Sequence, residues 1–480
     1  MGFPTPRFCM NPDASHGPVL GRALDHARAF LDGLDSLHIA PTVSAAELRT
    51  RFDRDLPAAG APAEEILDDL VAAVAGGLVG SAGGRFFGWV IGGTLPSAVA
   101  ADWMTTVWDQ TPGLHAVAPA AAMAEEVAGK WLKDLLGLPA DASFAFVTGC
   151  QMAHATCLAA ARHALLERRG WDVVEDGLSG SPRIRIVTST EMHGSVTRAV
   201  RLLGLGSGSI ERLPAAADAR LEPDVLRSAL AAAPGRPTVV ILQAGDIHTG
   251  AFDPFEELVG IAHDAGAWVH VDGAFGLWAA ASTEFRHLMR GAETADSWAT
   301  DGHKWLNVPY DCGYAFVAHS EPHRRAMTYR QEYLTHSDGV RDPMDWNPEF
   351  SRRARGFATY AALLELGRDG VADLVERCCR HAEALVSGIG ALPGAEIVSP
   401  AQLNQGLLRF PSSKAGATEA DHDAHTDAVM AAVAATGEAM FTGSTWRGRR
   451  VMRVSVSNWR TTDRDVERAI AAVAGVLAGG

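Results

Sequence analysis

The chain has 480 residues, of which 47% are hydrophobic and 21% charged, a balance typical of folded globular proteins, and this length predicts two or three domains. Its net charge of −15 argues against nucleic acid and anionic membranes as partners. The six cysteines form no CxxC pair, and neither a signal-peptide pattern nor an apolar run of membrane-spanning length is visible, so we expect a cytoplasmic protein with reduced thiols and no metal site.

Residues 1–85 are predicted to form a helical arm. The apolar spacing favours helices at residues 20–34, 44–53 and 63–74. Ser44, with Glu47 three residues later, has the capping-box pattern of a helix start.

Residues 86–345 are predicted to form a large α/β domain. Short β-rich runs lie at residues 144–147, 183–188, 238–243, 268–271, 297–300 and 314–317, and helical patterns lie between them at 152–168, 195–203, 223–233 and 254–264. This alternation is typical of a mostly parallel sheet with helices on both faces. In such sheets a ligand binds at the carboxyl ends of the strands, so residues that directly follow strands are the candidates for a site.

Residues 346–480 are predicted to form a small α+β domain. A long helical pattern at 358–389 is followed by strand-like runs at 396–398, 406–410 and 451–457 and by helical patterns at 426–436 and from 463. Alternation in the last strand puts Arg453 and Ser455 on one face and the apolar residues on the other.

Two turns that follow strands are weak candidates for ligand contacts. Gly149, Cys150 and Gln151 stand where a strand passes into a helix, and the free N–H groups of such a helix start suit a phosphate, although a plain turn has the same pattern. Cys150 is either a reactive thiol at a helix start or a small buried residue. His193 directly precedes a helix, where an imidazole can stack on a flat ring or simply cap the helix.

Asp272 and Lys304 carry a stronger signal. Asp272 ends an apolar run, and Lys304, one of four lysines, follows the next strand-like run. Pyridoxal 5′-phosphate (PLP) needs a lysine for its Schiff base and a carboxylate that keeps its pyridine nitrogen protonated. The alternative is a surface lysine and an aspartate at a strand end. The spacing and the flanking residues favour a PLP site.

The order of motifs resembles that of the group II PLP-dependent decarboxylases, which include aromatic-L-amino-acid and glutamate decarboxylases. The likeness is carried by His-Val-Asp-Gly-Ala at 270–274, Ala-Asp-Ser at 295–297, His-Lys-Trp-Leu at 303–306, Asp-Cys at 311–312 and Tyr-Leu-Thr-His-Ser at 333–337. It covers nearly the whole chain. The resemblance implies PLP fold type I, the aspartate-aminotransferase-like fold, and a homodimer with its active site at the interface, to which residues 108–112 and the arm contribute from the partner chain.

The resemblance also implies roles for individual residues around the cofactor. Lys304 is similar to the Schiff-base lysine and Asp272 to the partner of the pyridine nitrogen. His193 is similar to the histidine that stacks on the ring, Ala274 to the small residue beneath it, and His303 to a phosphate contact.

Four further residues are expected to act on the substrate. Tyr333 matches a mobile-loop tyrosine that returns a proton to the substrate carbon, within a segment predicted at residues 329–345. Arg453 matches an arginine that binds the substrate carboxylate, and its alternative role is to pair with a nearby acid. Phe86 and Trp89 suggest an apolar wall, which favours an aromatic or other apolar side chain.

Four positions depart from the family pattern. Cys150 and Gln151 stand where a small residue and then Ser or Thr are usual, Asp246 replaces a Thr, and Asp301 replaces an Asn. The added carboxylates would repel a phosphate or meet a cationic substrate group. We therefore expect decarboxylation of an amino acid, with transamination, oxidative deamination or aldol or β-cleavage on the same cofactor as the alternative. A cofactor-binding regulator is disfavoured because no basic helix or added domain is visible.

Overall fold

The computed structural model describes residues 15–329 and 339–479. The helices are α1 Gly17–Asp32, α2 Ala45–Phe52, α3 Ala63–Val74, α4 Pro96–Trp108, α5 Pro119–Leu135, α6 Cys150–Glu167, α7 Gly194–Leu202, α8 Pro223–Ala231, α9 Phe255–Asp264, α10 Ser320–Met327, α11 Gly356–Gly390, α12 Glu419–Ala435 and α13 Asp463–Gly479. The strands are β1 Ser143–Val147, β2 Arg185–Ser189, β3 Ile210–Leu213, β4 Thr238–Gln243, β5 Trp268–Asp272, β6 Ser297–Asp301, β7 Gly313–Val317, β8 Glu396–Gln402, β9 Gln405–Arg409, β10 Thr442–Trp446 and β11 Arg449–Ser455. Short 3-10 helices lie at Ser207–Ser209, Gly276–Ala281, Arg286–Met289, Ala292–Thr294 and Pro343–Asp345.

The N-terminal arm consists of α1, α2 and α3, as the apolar spacing predicts. Ser44 accepts a hydrogen bond from the Glu47 N–H group, and the Glu47 carboxylate accepts one from the Ser44 N–H group, which confirms the capping box. None of the three helices contains a buried residue. The apolar side chains of these three helices are therefore at least partly exposed in the single chain.

A seven-stranded sheet with the order β1-β7-β6-β5-β4-β2-β3 forms the centre of the molecule. Strands β3, β2, β4, β5 and β6 run parallel, and β7 is antiparallel to both of its neighbours. Every residue of β4, β5 and β6 is buried, as is typical of a parallel sheet covered by helices on both faces. The predicted fold class is confirmed.

A second sheet, antiparallel with the order β10-β11-β9-β8, lies in the C-terminal part of the chain. Its strands β8, β9 and β11 agree with the pattern of the sequence, whereas β10 and the edge strand β3 were not predicted. Among the described residues, no helix combines the length and the apolar character that crossing a membrane requires.

Candidate active site

Lys304 lies three residues beyond the end of β6, next to the last residue of that strand. Its Nζ is 3.0 Å from Oδ2 of Asp301, a carboxylate that is 2% exposed, and His303 Nε2 is 3.4 Å from the other oxygen. Burial lowers the pKa of Lys304, but the Asp301 carboxylate outweighs this and the pKa is raised overall. Without a cofactor the amine is therefore held in its ammonium form.

Asp301 also occupies the start of α6. Its Oδ1 accepts a hydrogen bond of 2.5 Å from the N–H group of Cys150, the first residue of the helix. The backbone at Gly313 approaches the backbone at Gly149 closely, as shown by the 2.5 Å that would separate a Cβ atom on Gly313 from the Cα atom of Gly149. A carboxylate thus occupies a helix N-terminus of the kind that suits a phosphate, and Gln151 follows it, half-buried.

The Cys150 thiol lies between two carboxylates. It is buried, and its Sγ is 3.9 Å from Oδ1 of Asp272. Burial, followed by the charges of Asp301 and Asp272, raises the pKa of the thiol well above its usual value. Cys150 therefore does open a helix, yet it is a small buried residue and not a reactive thiolate.

Asp272 ends β5 and is supported by a chain of buried imidazoles. His154 Nε2 is 3.5 Å from Asp272 Oδ2, His154 Nδ1 is 2.9 Å from His270 Nε2, and His270 Nδ1 is 2.9 Å from the Ser297 hydroxyl. Burial, with the charge of His154, lowers the pKa of His270 to about 3, so this ring is neutral. Burial raises the pKa of Asp272, but His154, His193 and Lys304 outweigh it and lower the pKa overall, so the carboxylate stays ionised.

Ala274 and His193 lie around the same space. The Ala274 N–H group donates to Asp272 Oδ1 at 3.2 Å, and the Ala274 carbonyl accepts from the Asp301 N–H group. His193 caps α7 by accepting from the Ser195 N–H group, and its ring is exposed. Desolvation by the surrounding protein lowers the pKa of His193.

Arg453 lies on β11, buried beside the turn that follows β4. Its Nε donates to the Ile247 carbonyl at 3.0 Å, and among the described residues no carboxylate lies within the 4.0 Å of an ion pair. Burial lowers the pKa of Arg453 to about 10, against the opposing effect of the Asp246 charge. The alternative that Arg453 is paired with a nearby acid therefore finds no partner in the described part of the chain.

Residues 86–89 run alongside β11. The Phe87 N–H group donates to the Met440 carbonyl, and the Ser455 N–H group donates to the Phe87 carbonyl. Phe86 is buried, Trp89 is 54% exposed, and their ring centroids are 6.2 Å apart. Tyr333 lies outside the described residues.

Four residues of the site were not assigned from the sequence. His154 lies one turn beyond Cys150 on α6, and His270 lies two residues before Asp272 on β5, so helical and strand periodicity could have predicted both of them. Asn307 is fully buried, and its side chain accepts from the Gly93 N–H group at 2.7 Å and donates to the Ser457 carbonyl at 2.9 Å, which holds the segment after Lys304. Tyr310 stacks on His303 with ring centroids 4.2 Å apart, and no sequence signal pointed to it.

A lysine and an ionised, buried carboxylate at the carboxyl ends of neighbouring strands in a mostly parallel sheet define a fold type I PLP enzyme. Residues 46–411 match the family model described as the pyridoxal-dependent decarboxylase conserved domain, and the chain belongs to this family. It is a PLP-dependent amino acid decarboxylase, a lyase. Asp272 fits the cofactor, because it is a buried carboxylate that stays ionised, as a protonated ring nitrogen requires, and its ion-pair contact in the described chain is the His154 imidazole at 3.5 Å.

Individual relatives agree with the family. The chain is 26% identical over 452 residues to an aromatic-L-amino-acid decarboxylase of Bacillus atrophaeus, a match that covers 93% of this chain and 92% of the relative. It is 25% identical over 382 residues to a phenylacetaldehyde synthase of Petunia hybrida, covering 76% and 74%. The solved structure of Oryza sativa TDC with PLP and tryptamine superposes with a TM-score of 0.91 at 24% identity, over 98% of this chain and 99% of that one, which shows the fold.

Proposed function

We propose that the protein converts an L-amino acid with an aromatic or other apolar side chain into the corresponding amine and CO2. The observation that supports this most directly is the meeting of a lysine amine with two carboxylates at one edge of the sheet. Cys150 contacts both carboxylates: its N–H group donates to Asp301, and its thiol contacts Asp272. The ion pair of Lys304 with Asp301 and the Asp272 carboxylate therefore border one space.

The residues around this space have separate tasks in the proposal. When bound, PLP supplies a ring that accepts the electron pair left on the substrate carbon. Lys304 attaches the cofactor, and Asp272 keeps a proton on the ring nitrogen because its own low pKa keeps it ionised. His154 orients Asp272 through the contact of 3.5 Å and is itself fixed by His270.

The other cofactor contacts follow from position. His193, an exposed residue, would offer its imidazole to the flat ring of the cofactor, and Ala274, which contacts Asp272 and Asp301, would keep its part of the pocket free of a larger side chain. His303, bonded through Nδ1 to the Cys312 N–H group, faces the start of α6 and is proposed as a phosphate contact together with Cys150 and Gln151. Asp246 and Asp301 are the two acidic residues that make this pocket unlike the family pattern.

Two features support the substrate class. Arg453 presents a buried guanidinium without an ion pair in the described chain, which suits the substrate carboxylate. Phe86 and the exposed ring of Trp89 lie alongside the same strand and suit an apolar side chain. The relatives named for aromatic substrates point in the same direction.

Tyr333 is proposed as the residue that returns a proton to the substrate carbon. The rival reaction is oxidative release of a carbonyl compound, in which dioxygen from air is the oxidant and is reduced to peroxide while the amino group leaves as ammonia. The phenylacetaldehyde synthase relative and the unusual residues Asp246 and Asp301 favour it. We expect Tyr333→Phe to lose amine and to release aldehyde instead. Unchanged amine production by this variant would contradict the role of the tyrosine.

A homodimer is proposed from the surface of the single chain. The arm helices have no buried residue, and α4 exposes Trp103, Met104, Val107 and Trp108 on one face. A contiguous apolar face of this kind marks a protein interface. Light scattering on the wild type and on Val107→Glu tests it, since the charged variant is expected to shift the mass from two chains toward one.

The experiment that tests the function is mass spectrometry of the products formed from pooled L-amino acids by the PLP-loaded protein in air. Release of an amine is expected from the wild type and from Lys414→Ala, an exposed lysine, but not from Lys304→Ala. A keto acid, an aldehyde or a cleaved side chain as the main product would contradict decarboxylation to the amine and identify the rival reaction.

A further inference from the structure

The turn after β4 buries two polar atoms that have no hydrogen-bond partner among the described residues. Asp246 is 1% exposed and uses Oδ1 to accept from the His248 N–H group, the Thr249 N–H group and the Thr249 hydroxyl, which leaves Oδ2 without a partner. His248 contacts the Ser444 hydroxyl through Nε2 at 2.9 Å, which leaves Nδ1 without one. A buried polar group of this kind costs about 1–3 kcal/mol, and more if it is charged, unless a ligand satisfies it.

The two unpartnered atoms lie close to each other and to a third possible ligand atom. His248 Nδ1 is 3.8 Å from Asp246 Oδ2 and 3.9 Å from Oε2 of Glu191, and the three atoms all lie within 4.8 Å of one another. These separations are too long for hydrogen bonds. A tetrahedral Zn²⁺ with ligand atoms at about 2.0–2.2 Å holds any two of them about 3.3–3.6 Å apart, so the two contacts of His248 need to shorten by only a few tenths of an ångström for these atoms to share one ion.

We propose that Glu191, Asp246 and His248 bind one divalent transition-metal ion of the Zn²⁺ type. One imidazole nitrogen and two carboxylate oxygens are a donor set that this ion accepts, with a fourth position left for water. The Ser444 hydroxyl on the second nitrogen of His248 is the outer contact that orients a metal-binding histidine. The spacing of the cysteines predicted no metal site. That argument does not apply to a group of metal ligands that contains no cysteine.

The three ligands come from two turns, and their outer contact comes from the small sheet. Glu191 lies two residues before His193 in the turn after β2, Asp246 and His248 lie in the turn after β4, and Ser444 lies on β10 of the small sheet. A bound ion therefore ties the turn that carries His193 to the small sheet. It also neutralises carboxylate charge beside Arg453.

Zinc binding to the PLP-loaded protein tests the proposal without any measurement of decarboxylation. The holoenzyme is dialysed against a chelator and then titrated with Zn²⁺, and bound zinc per chain is measured by plasma mass spectrometry and by calorimetry. We expect one ion per chain in the wild type. His248→Gln, whose amide can still contact Ser444 but lacks the Nδ1 ligand, is expected to weaken binding at least about 10-fold.

Two further variants complete the design. Glu191→Gln, at a half-buried position that tolerates the exchange, is expected to weaken zinc binding as well. His287→Gln is the matched control, because His287 is exposed and contacts only the Glu284 carbonyl through Nδ1 among the hydrogen bonds of the described chain. It is expected to bind zinc as tightly as the wild type.

Three results would overturn the proposal. The first is a holoenzyme that retains no zinc, and the second is a His248→Gln variant that binds zinc like the wild type. The third is that zinc does not bind, whereas an amino acid with a side-chain ammonium group binds to the zinc-free holoenzyme and binds less tightly to the Glu191→Gln variant. In that case the occupant is a cationic substrate group. None of these results bears on whether the protein decarboxylates its substrate.

Discussion

Replacing Asp301 by Asn removes one negative charge from the site and little else. The Asn side chain has nearly the same shape, and its oxygen can still accept the N–H group of Cys150 at the start of α6. The loss is the carboxylate charge 3.0 Å from Lys304 Nζ. The variant also restores the amide that the family pattern has at this position.

The size of the effect follows from this distance. Two unit charges 3.0 Å apart interact by about 5.5 kcal/mol at an effective dielectric constant of about 20, before the cost of desolvation is subtracted. A single opposite charge at such a distance shifts a pKa by about 1–3 units. The pKa of Lys304, which Asp301 raises against the effect of burial, is therefore expected to fall in Asp301→Asn.

Cofactor capture measures this change directly. Only the neutral amine of Lys304 attacks the aldehyde of PLP, so at neutral pH the variant is expected to capture PLP about 10-fold faster or more. In the wild type the rate rises with pH up to the raised pKa of the lysine, and in the variant the same rise occurs at lower pH. Stopped-flow absorbance after mixing the cofactor-free protein with PLP gives both quantities.

A matched control separates local from general charge effects. Asp264→Asn removes an exposed carboxylate on α9 and is expected to capture PLP like the wild type. If Asp301→Asn shows the same rate and the same pH dependence as the wild type, the Asp301 charge does not control the lysine and the reasoning is refuted.

Three further substitutions test one close contact with Lys304 and two ion-pair groups elsewhere in the fold. Gly92→Ala would drive its Cβ into the Lys304 carbonyl and is expected to lower the PLP bound per chain. The control is Gly21→Ala, whose Cβ would lie in open space and which is expected to bind PLP like the wild type. Equal PLP content in the two variants would contradict the predicted clash. Glu125→Gln leaves the buried Arg352 and the half-buried Arg341 without their carboxylate and is expected to lower the free energy of unfolding in urea by about 3–5 kcal/mol. A loss below about 1 kcal/mol would argue against it. Asp296 has its pKa lowered to about 2, since two histidine hydrogen bonds outweigh burial, and the shift from 3.8 stabilises the fold by about 2.5 kcal/mol at neutral pH. Asp296→Asn should lose that amount at pH 7, and the gap should narrow as pH falls from about 4 to about 2; a gap independent of pH would refute the assignment.

The regular elements that the sequence predicted are those with a strong local pattern. Strands β4 and β5 are apolar runs buried on both faces, and their predicted bounds agree with the structure to within one residue. Strand β3 was missed because its middle residues, Glu211 and Arg212, are charged and exposed at the edge of the sheet. Strand β10 was missed because Thr442–Trp446 has no apolar alternation.

The site was predicted unevenly for a similar reason. Asp272 and Lys304 directly follow strands, so the rule that ligands bind at the carboxyl ends of parallel strands indicated both of them. The contact of Asp301 with the start of α6 joins residues 151 positions apart in the chain, and no local pattern reports it. Periodicity places His154 and His270 on the faces of Cys150 and Asp272, but their contact with each other spans 116 positions, and no local pattern reports it.

The chain by itself therefore determined the fold class, the family and the cofactor, because these depend on periodic burial and on motifs a few residues long. The protonation of the site depended on the tertiary structure. Whether Lys304 is charged, Cys150 inert and Asp272 ionised depends on distances of a few ångströms between residues far apart in sequence, and on how much water the fold removes from around them. The unpartnered atoms of Asp246 and His248 also depend on the tertiary structure, since only the folded chain buries them and brings them close to Glu191.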